Sequence, residues 1–482
     1  MADDLAGRIL TGVHGFDEIL HGGVIPRRAY LIRGGPGSGK TTLGLHFLIN
    51  GPPEDSLFIT LGESEEQLRQ NADYSGLSMD GVAVLDLSLG DDSSTYTLLE
   101  SWDVEGNSTH DRILDHVEKL RPQRILIDSL SQMQCLSPDT FQFRRQVLAL
   151  LRKLTAGGAT VMFTSEQAPS EEDHTLPFLS DGIISLDHTE SGRQCRITKF
   201  RGSSFADGAH YFNLGPGGVT LYPRLLPDNH RRQVEHTPLT SGLAEFDALT
   251  HGGIERGTVT LLSGPSGVGK TTLGAQLMSA AAKGNERSVI YSFDEGASTF
   301  FTRCRQVGLP AEAMVNEGNL KFESVEPLLY NPDQFAAGAR VEVEERGTSM
   351  VMIDSLSGYE QSVHGDNVKE RIHALCRYLV NMGVTVVHVN EVFSIAGNQT
   401  RITEHGISYI ADNVIMLRYV ELDGELRKSI GVLKKRAGSF ERTLREFEIT
   451  PEGLKIGPPF RGLRGLLGGI PELTRPNNED AM

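Results

Sequence analysis

The sequence predicts an α/β fold built twice in tandem. Each copy is a mostly parallel sheet flanked by helices, with a β-hairpin region at its C-terminal side. Three observations predict it. First, the pattern G-x-x-x-x-G-K-T occurs twice, in "GGPGSGKTTLGLHFL" from Gly34 and in "GPSGVGKTTLGAQLM" from Gly264. Second, "TGVHGFDEILHGG" from Thr11 is answered by "SGLAEFDALTHGG" from Ser241. The offset, 241 minus 11, is 230, and Lys40 and Lys270 differ by the same 230, so the block aligns without a gap. Third, short apolar β-rich runs alternate with helical patterns, which implies a parallel sheet with helices on its faces.

The match resumes downstream. "RILIDSL" (124–130) answers "MVMIDSL" (350–356), and "KFRGSSF" (199–205) answers "KKRAGSF" (434–440). Copies of about 230 residues are a duplicated domain, not a short-period solenoid. The first domain is expected over 1–223 and the second over 239–459. Between them, "RLLPDNHRRQVEHTP" (224–238) is polar and charged with two prolines, as a linker should be. Residues 460–482 form a C-terminal segment whose end, "ELTRPNNEDAM", is polar and expected to be disordered.

Taken in order, "RAYLIRG" and "GTVTLLSG" are strands running into the glycine loops, and a helix follows each GKT. "SLFIT", "RILIDSL" and "ATVMFTS" are the later strands of the first copy; "SVIYSF", "SMVMIDSL" and "VTVVHVN" match them in the second. "FRRQVLALLRKLTAGG" and "VKERIHALCRYLVNMG" are helical patterns closed by glycine. "DNVIMLRYVELDGELRKSIGVLKKR" reads as a hairpin with "DG" at its turn.

Composition bounds the function. The chain has 482 residues, 39% hydrophobic and 23% charged, as soluble globular proteins do. It holds no run of the roughly 18 apolar residues that a membrane span needs. "MADDLAGRIL" has neither a basic start nor an apolar core, so no secretory signal is expected there. Cys135, Cys195, Cys304 and Cys376 are far apart and fit a reducing cytoplasm. The formal charge of −17 gives no global pull towards nucleic acid.

The glycine loops carry the chemistry. Their glycines let backbone N–H groups converge on a phosphate, and the next helix adds its positive end. ATP is therefore expected to meet Gly34, Gly35, Pro36, Gly37, Ser38, Gly39, Lys40, Thr41 and Thr42 in the first copy. In the second it meets Gly264, Pro265, Ser266, Gly267, Val268, Gly269, Lys270, Thr271 and Thr272. The lysines reach the β- and γ-phosphates, and Thr41 and Thr271 ligate Mg²⁺. Asp128 and Asp354 end apolar strands, where a second carboxylate on the Mg²⁺ side belongs. A third carboxylate should orient the attacking water. "SLFIT" leads into Leu61-Gly62-Glu63, and "SVIYS" into Phe293-Asp294-Glu295. The second copy offers Asp294 and Glu295; the first offers only Glu63, so the two sites are not expected to hydrolyse alike. Lys199 with Arg201, and Lys434 with Arg436, stand at K-x-R spacing in a strand, which puts both side chains on one face. A neighbouring subunit would use such a pair to touch the γ-phosphate.

This ordered set, found twice, resembles the KaiC family of double-domain RecA-like ATPases. The resemblance runs from about Thr11 to Pro471. It implies tandem RecA-like P-loop domains and an ATP-dependent homohexameric double ring with ATP at subunit interfaces. It implies an ATPase in the N-terminal ring and a serine/threonine autokinase and autophosphatase in the C-terminal one. "ITEHGISYIAD" (402–412) resembles the family's phosphosite segment, with Thr403 and Ser408 as acceptors and Tyr409 where the family has a threonine. "FRGLRGLLGGIP" (460–471) resembles the segment leading to the peptide tail, and regulatory partners of the KaiA and KaiB type are implied. Two other classes share the loop: a RecA- or RadA-like DNA-repair ATPase or helicase, and an ATP-gated scaffold with little turnover. The first would want basic, aromatic loops. "SEQAPSEEDHTLPFLSD" in the first copy is acidic instead, and "NEVFSIAGNQTRITEHG" in the second has one arginine.

Overall fold

The computed structural model describes residues 7–88, 102–135, 139–166, 175–233, 237–392, 410–422, 424–461, 463–464 and 472–473. The chain divides into two compact units, Met1–Arg224 and Leu225–Met482.

In the first unit, a short helix α1 (Phe16–Ile19) precedes β1 (Ala29–Gly34), which runs into the glycine loop and α2 (Lys40–Ile49). There follow β2 (Ser56–Thr60), α3 (Glu65–Tyr74), β3 (Ala83–Asp86), α4 (Trp102–Leu120) and β4 (Arg124–Asp128). Next come α5 (Leu130–Cys135), α6 (Thr140–Ala156), β5 (Thr160–Glu166), α7 (Thr175–Leu179) and β6 (Gly182–Thr189). The antiparallel strands β7 (Gly192–Phe200), β8 (Ala209–Gly215) and β9 (Gly218–Tyr222) close the unit. The sheet order is β3-β2-β4-β5-β1-β6-β7-β8-β9, parallel from β3 to β6.

The central strands are apolar throughout because both faces are covered. On β1, Tyr30 and Ile32 enter one core with Phe47, Phe58 and Leu126, while Ala29 and Leu31 enter the other with Ile125, Ile127 and Val147. Full burial of each such Leu or Phe contributes roughly 1.5–3 kcal/mol. Helix α2 lies close on the sheet at Gly44, where a Cβ would collide with the Leu126 side chain. That approach seats the loop before the helix directly above the strand ends.

The second unit repeats the plan. It opens with a two-stranded ladder, β10 (Pro238–Leu239) with β11 (Ile254–Glu255), around α8 (Ala244–Leu249). Then come β12 (Val259–Gly264), α9 (Lys270–Lys283), β13 (Ser288–Ser292), α10 (Ala297–Gln306), α11 (Ala311–Asn316) and β14 (Leu320–Ser324). Helix α12 (Pro332–Glu344), β15 (Met350–Asp354), α13 (Leu356–Ser362), α14 (Val368–Asn381) and β16 (Thr385–Glu391) follow. The unit ends with β17 (Asn413–Leu422), β18 (Glu425–Lys435), β19 (Arg445–Thr450) and β20 (Gly453–Pro459). The order β14-β13-β15-β16-β12-β17-β18-β19-β20 is that of the first sheet. The hairpin expected at "DG" is β17–β18, and Gly424 takes φ 77 at its turn.

Two local expectations change. Arg201 and Arg436 lie just past the ends of β7 and β18 rather than inside them. Within the tail expected to be disordered, Glu472–Leu473 pair with Leu463–Arg464 as a short antiparallel ladder. The segment read as a linker is anchored in part. The Arg232 N–H donates to Asn381 O at 2.8 Å, and Asn381 Nδ2 donates to Pro227 O at 2.8 Å.

Candidate functional site

Each glycine loop closes on the C-terminal edge of its sheet. Gly39 and Gly269, the residues before α2 and α9, take φ 98 and 114, a conformation that only glycine adopts without strain. Lys40 Nζ donates to Gly34 O and Gly35 O, both at 3.0 Å. Lys270 Nζ donates to Gly264 O and Pro265 O, both at 2.8 Å. Burial lowers the pKa of both ammonium groups, and neighbouring carboxylates oppose that shift. The loop therefore holds a poorly solvated cation beside its backbone, a site that a polyphosphate satisfies.

The predicted metal-side residues converge. Thr41 Oγ1 donates to Asp128 Oδ2 at 2.5 Å, and Thr271 Oγ1 to Asp354 Oδ2 at 2.6 Å. A hydroxyl and a carboxylate are hard oxygen ligands and fit Mg²⁺, which takes few protein ligands and completes its shell with water and phosphate oxygens. No cluster of three or more His, Cys, Asp or Glu capable of holding a metal occurs among the described residues. Burial pushes the Asp354 carboxyl up to about 6; the Thr271 bond and Arg303 pull it down, while Asp294 pushes it further up.

The third carboxylates differ between the copies. In the second unit a cavity of about 510 Å³ is lined by Lys270, Thr271, Asp294, Glu295, Arg303 and Asp354 among others. Asp294 Oδ2 accepts from Ser355 Oγ at 2.7 Å, and Glu295 Oε2 accepts from Arg303 Nη2 at 2.6 Å. In the first unit Glu63 Oε2 accepts from Asn71 Nδ2 at 3.1 Å, and Gly62 adds no side chain. Counting from Glu63 and from Glu295, Asn71 and Arg303 are equivalent, eight residues on along the following helix.

The K-x-R pairs are not brought to the loop of their own unit. Strand β7 runs antiparallel to β6, so Lys199 lies opposite Ile183, near the start of β1. The glycine loop begins at the other end of β1, roughly 10 Å along the strand from the level of Lys199 and roughly 17 Å from that of Arg201, which stands beside Asp181 and Ala29. Lys199 Nζ donates to Pro177 O and Ser180 O at 2.8 and 2.5 Å, and Arg201 lies 3.5 Å from Asp181. Lys434 Nζ donates to Ala411 O at 2.5 Å, and Arg436 pairs with Asp412 at 2.8 Å. Thr403 and Ser408, the expected acceptors, and Tyr409 lie outside the described residues.

Sequence reading missed two cations on the loops. Arg193 Nη1 donates to Gly37 O at 2.8 Å, and Lys428 Nζ to Gly267 O at 3.3 Å. The recurrence of a basic residue early in the second hairpin strand of both copies was the available signal. Arg303 was missed because only Asn71 stands at the matching place.

The sequence profile of the family described as "ATPase: KaiC" matches residues 9–225 and again 239–460. The chain belongs to the KaiC family of ATPases. Relatives cover nearly all of it at modest identity. The circadian clock oscillator protein KaiC of Parasynechococcus marenigrum is 27% identical over 481 residues, 96% of this chain and 93% of that one. The protein of the same name from Synechococcus elongatus is 26% identical over 484 residues, 96% and 92% of the two chains. The circadian clock protein KaiC3 of Synechocystis is 27% identical over 489 residues, 97% and 95%. Family membership carries ATP binding and does not favour a DNA-handling motor. No described helix is long and apolar enough to cross a membrane.

Proposed function

We propose that this KaiC-family ATPase binds MgATP at both loops, assembles as a homohexameric double ring, and acts as a clock-type signalling ATPase. In this reading the first ring is mainly hydrolytic and structural, and the second adds serine/threonine autokinase activity. The observation that carries it is the position of the K-x-R pairs. Each lies roughly 10–17 Å along the sheet from its own loop, yet both copies keep it, which supports a role on the phosphate of another subunit. Nucleotide shared between a loop and a neighbour's pair stabilises the ring by linkage.

At each site the loop amides and Lys40 or Lys270 hold the β- and γ-phosphates. Thr41 with Asp128, and Thr271 with Asp354, would hold Mg²⁺, which neutralises charge developing on the phosphates. At the second site Asp294 takes a proton from the attacking group. A water gives hydrolysis; a serine hydroxyl gives phosphoryl transfer. In both, a bond forms to the γ-phosphorus, and the bond to the bridging oxygen breaks as ADP leaves. The relatives' names support the clock setting; regulatory proteins of the KaiA and KaiB type are the partners that the family resemblance implies. Incubation of the full chain with MgATP, followed by light scattering and peptide mass spectrometry, tests the reading. Assembly and phosphate on Ser408 are expected, with Thr403 a minor site. A chain that stays monomeric at saturating ATP refutes the shared site, and an unmodified Ser408 during turnover refutes the autokinase.

A further inference from the structure

The two hydrolytic sites share one backbone frame. Thr60 on β2 stands beside Asp128 on β4, and Ser292 on β13 stands beside Asp354 on β15. Each frame is carried one residue further by the same bond: Leu61 N to Asp128 O at 2.8 Å, and Phe293 N to Asp354 O at 2.7 Å. Gly62 is therefore the counterpart of Asp294, and Gln132 the counterpart of Gly358.

Between these positions lies one slot, filled from opposite walls. In the second unit Asp294 fills it from the β13 side. Gly358 on α13 leaves it open, and a Cβ there would meet Asp294 Oδ1 and Oδ2 at 3.0 and 3.1 Å. In the first unit the sizes are exchanged. Gly62 leaves the β2 side bare, and Gln132 reaches across from α5. A Cβ built on Gly62 would fall on the Gln132 carboxamide nitrogen, well inside van der Waals contact. Gln132 is exposed, so the slot opens to water. A polar group thus remains where the second site has its carboxylate, but it is a neutral amide on a different element.

We propose that Gln132 orients the attacking water at the first site, in the slot that Asp294 fills at the second. This rests on the reading of the first site as hydrolytic. A carboxamide accepts a hydrogen bond from water and does not take its proton at neutral pH. The water oxygen bonds to the γ-phosphorus, and the bond to the bridging oxygen of ADP breaks, leaving its electron pair on ADP. The water proton passes to Glu63, whose partner Asn71 is neutral. Positioning without a carboxylate in the slot makes the first site the slower one, suited to holding nucleotide.

The test uses the full chain with Lys270→Ala as parent, so that phosphate release reports the first site. Loss of that release on adding Lys40→Ala shows that the first site turns over. Gln132→Gly should then lower kcat by on the order of a hundredfold at unchanged KM, the cost of losing the orientation of a reacting group. The exchange Gly62→Asp with Gln132→Gly refills the slot with a carboxylate. It should raise kcat above the parent, because the slot again holds a group that can take a proton. Gln132→Gly within twofold of the parent overturns the inference alone. If that variant no longer binds nucleotide, the exchange carries the test, and a rate at or below the parent overturns it. A parent with no Lys40-dependent release overturns the hydrolytic reading itself, and the inference with it.

Discussion

Asp294 and Glu295 are adjacent, and their surroundings separate them. The Glu295 carboxylate lies 2.6 Å from Arg303, with side chains 17% and 35% exposed. That charge-assisted bond keeps Glu295 Oε2 engaged with the guanidinium instead of leaving it free to face an attacking water. Asp294 has a neutral partner, the Ser355 hydroxyl. After burial, its charge is among the influences felt by Lys270 and Asp354, so it acts where the γ-phosphate would sit. Asp294→Asn in a Lys40→Ala background should therefore remove general-base catalysis, a loss of about 10²–10⁴ in turnover. That loss corresponds to about 2.7–5.4 kcal/mol of barrier at 1.36 kcal/mol per decade. Glu295→Gln removes a partly exposed ion pair worth about 1 kcal/mol and should cost less than tenfold. Phosphate release at saturating MgATP, with nucleotide affinity as the folding control, separates the two. A hundredfold loss in Glu295→Gln with Asp294→Asn within tenfold of the parent would refute the reasoning and make Glu295 the base.

Lys40→Ala should weaken ATP-dependent assembly more than Lys270→Ala, read by light scattering; the reverse order would make the second ring the structural one. Glu342 is buried beside Arg287, Lys321 and Arg346 at 2.8–3.0 Å. Glu342→Gln should cost about 3 kcal/mol in urea unfolding of the second unit, the low end for a broken buried pair, since Lys321 and Arg346 are 34% and 52% exposed. Burial pushes the Glu342 carboxyl up, but its bonds to Lys321 and Arg287 outweigh that, and its pKa lies below the usual 4.5. Its stabilisation is thus present above pH 4.5 and is lost as pH falls through the folded value, so wild type and variant should converge in acid. The buried His46 accepts from Val219 N at 2.9 Å, and burial lowers its pKa below 6.5. The unfolded chain then takes up the proton first, so first-unit stability should fall as pH drops below 6.5. His46→Gln, which copies Gln276 of the second unit, should flatten that slope; equal slopes in urea titrations at pH 7 and 5.5 would refute it.

The sequence by itself determined the parts whose signals are local. The glycine loops, the strands ending in Asp128 and Asp354, and the duplication at an offset of 230 follow from contiguous patterns. Short apolar runs become central strands because both faces must be covered, and G-x-x-x-x-G-K-T works through the backbone of a single segment. The tertiary structure decided what depends on sheet order. Strand β2 pairs with β4, across a long stretch of chain, and only that pairing sets Gln132 against Gly62. The antiparallel return of β7 alone shows that Lys199 and Arg201 sit towards the end of β1 opposite their own loop. The Arg303–Glu295 pair likewise joins a helix to a strand end and turns two similar acids into unlike ones. Such pairings are fixed by packing both faces of a twisted sheet at once, which no window of sequence contains.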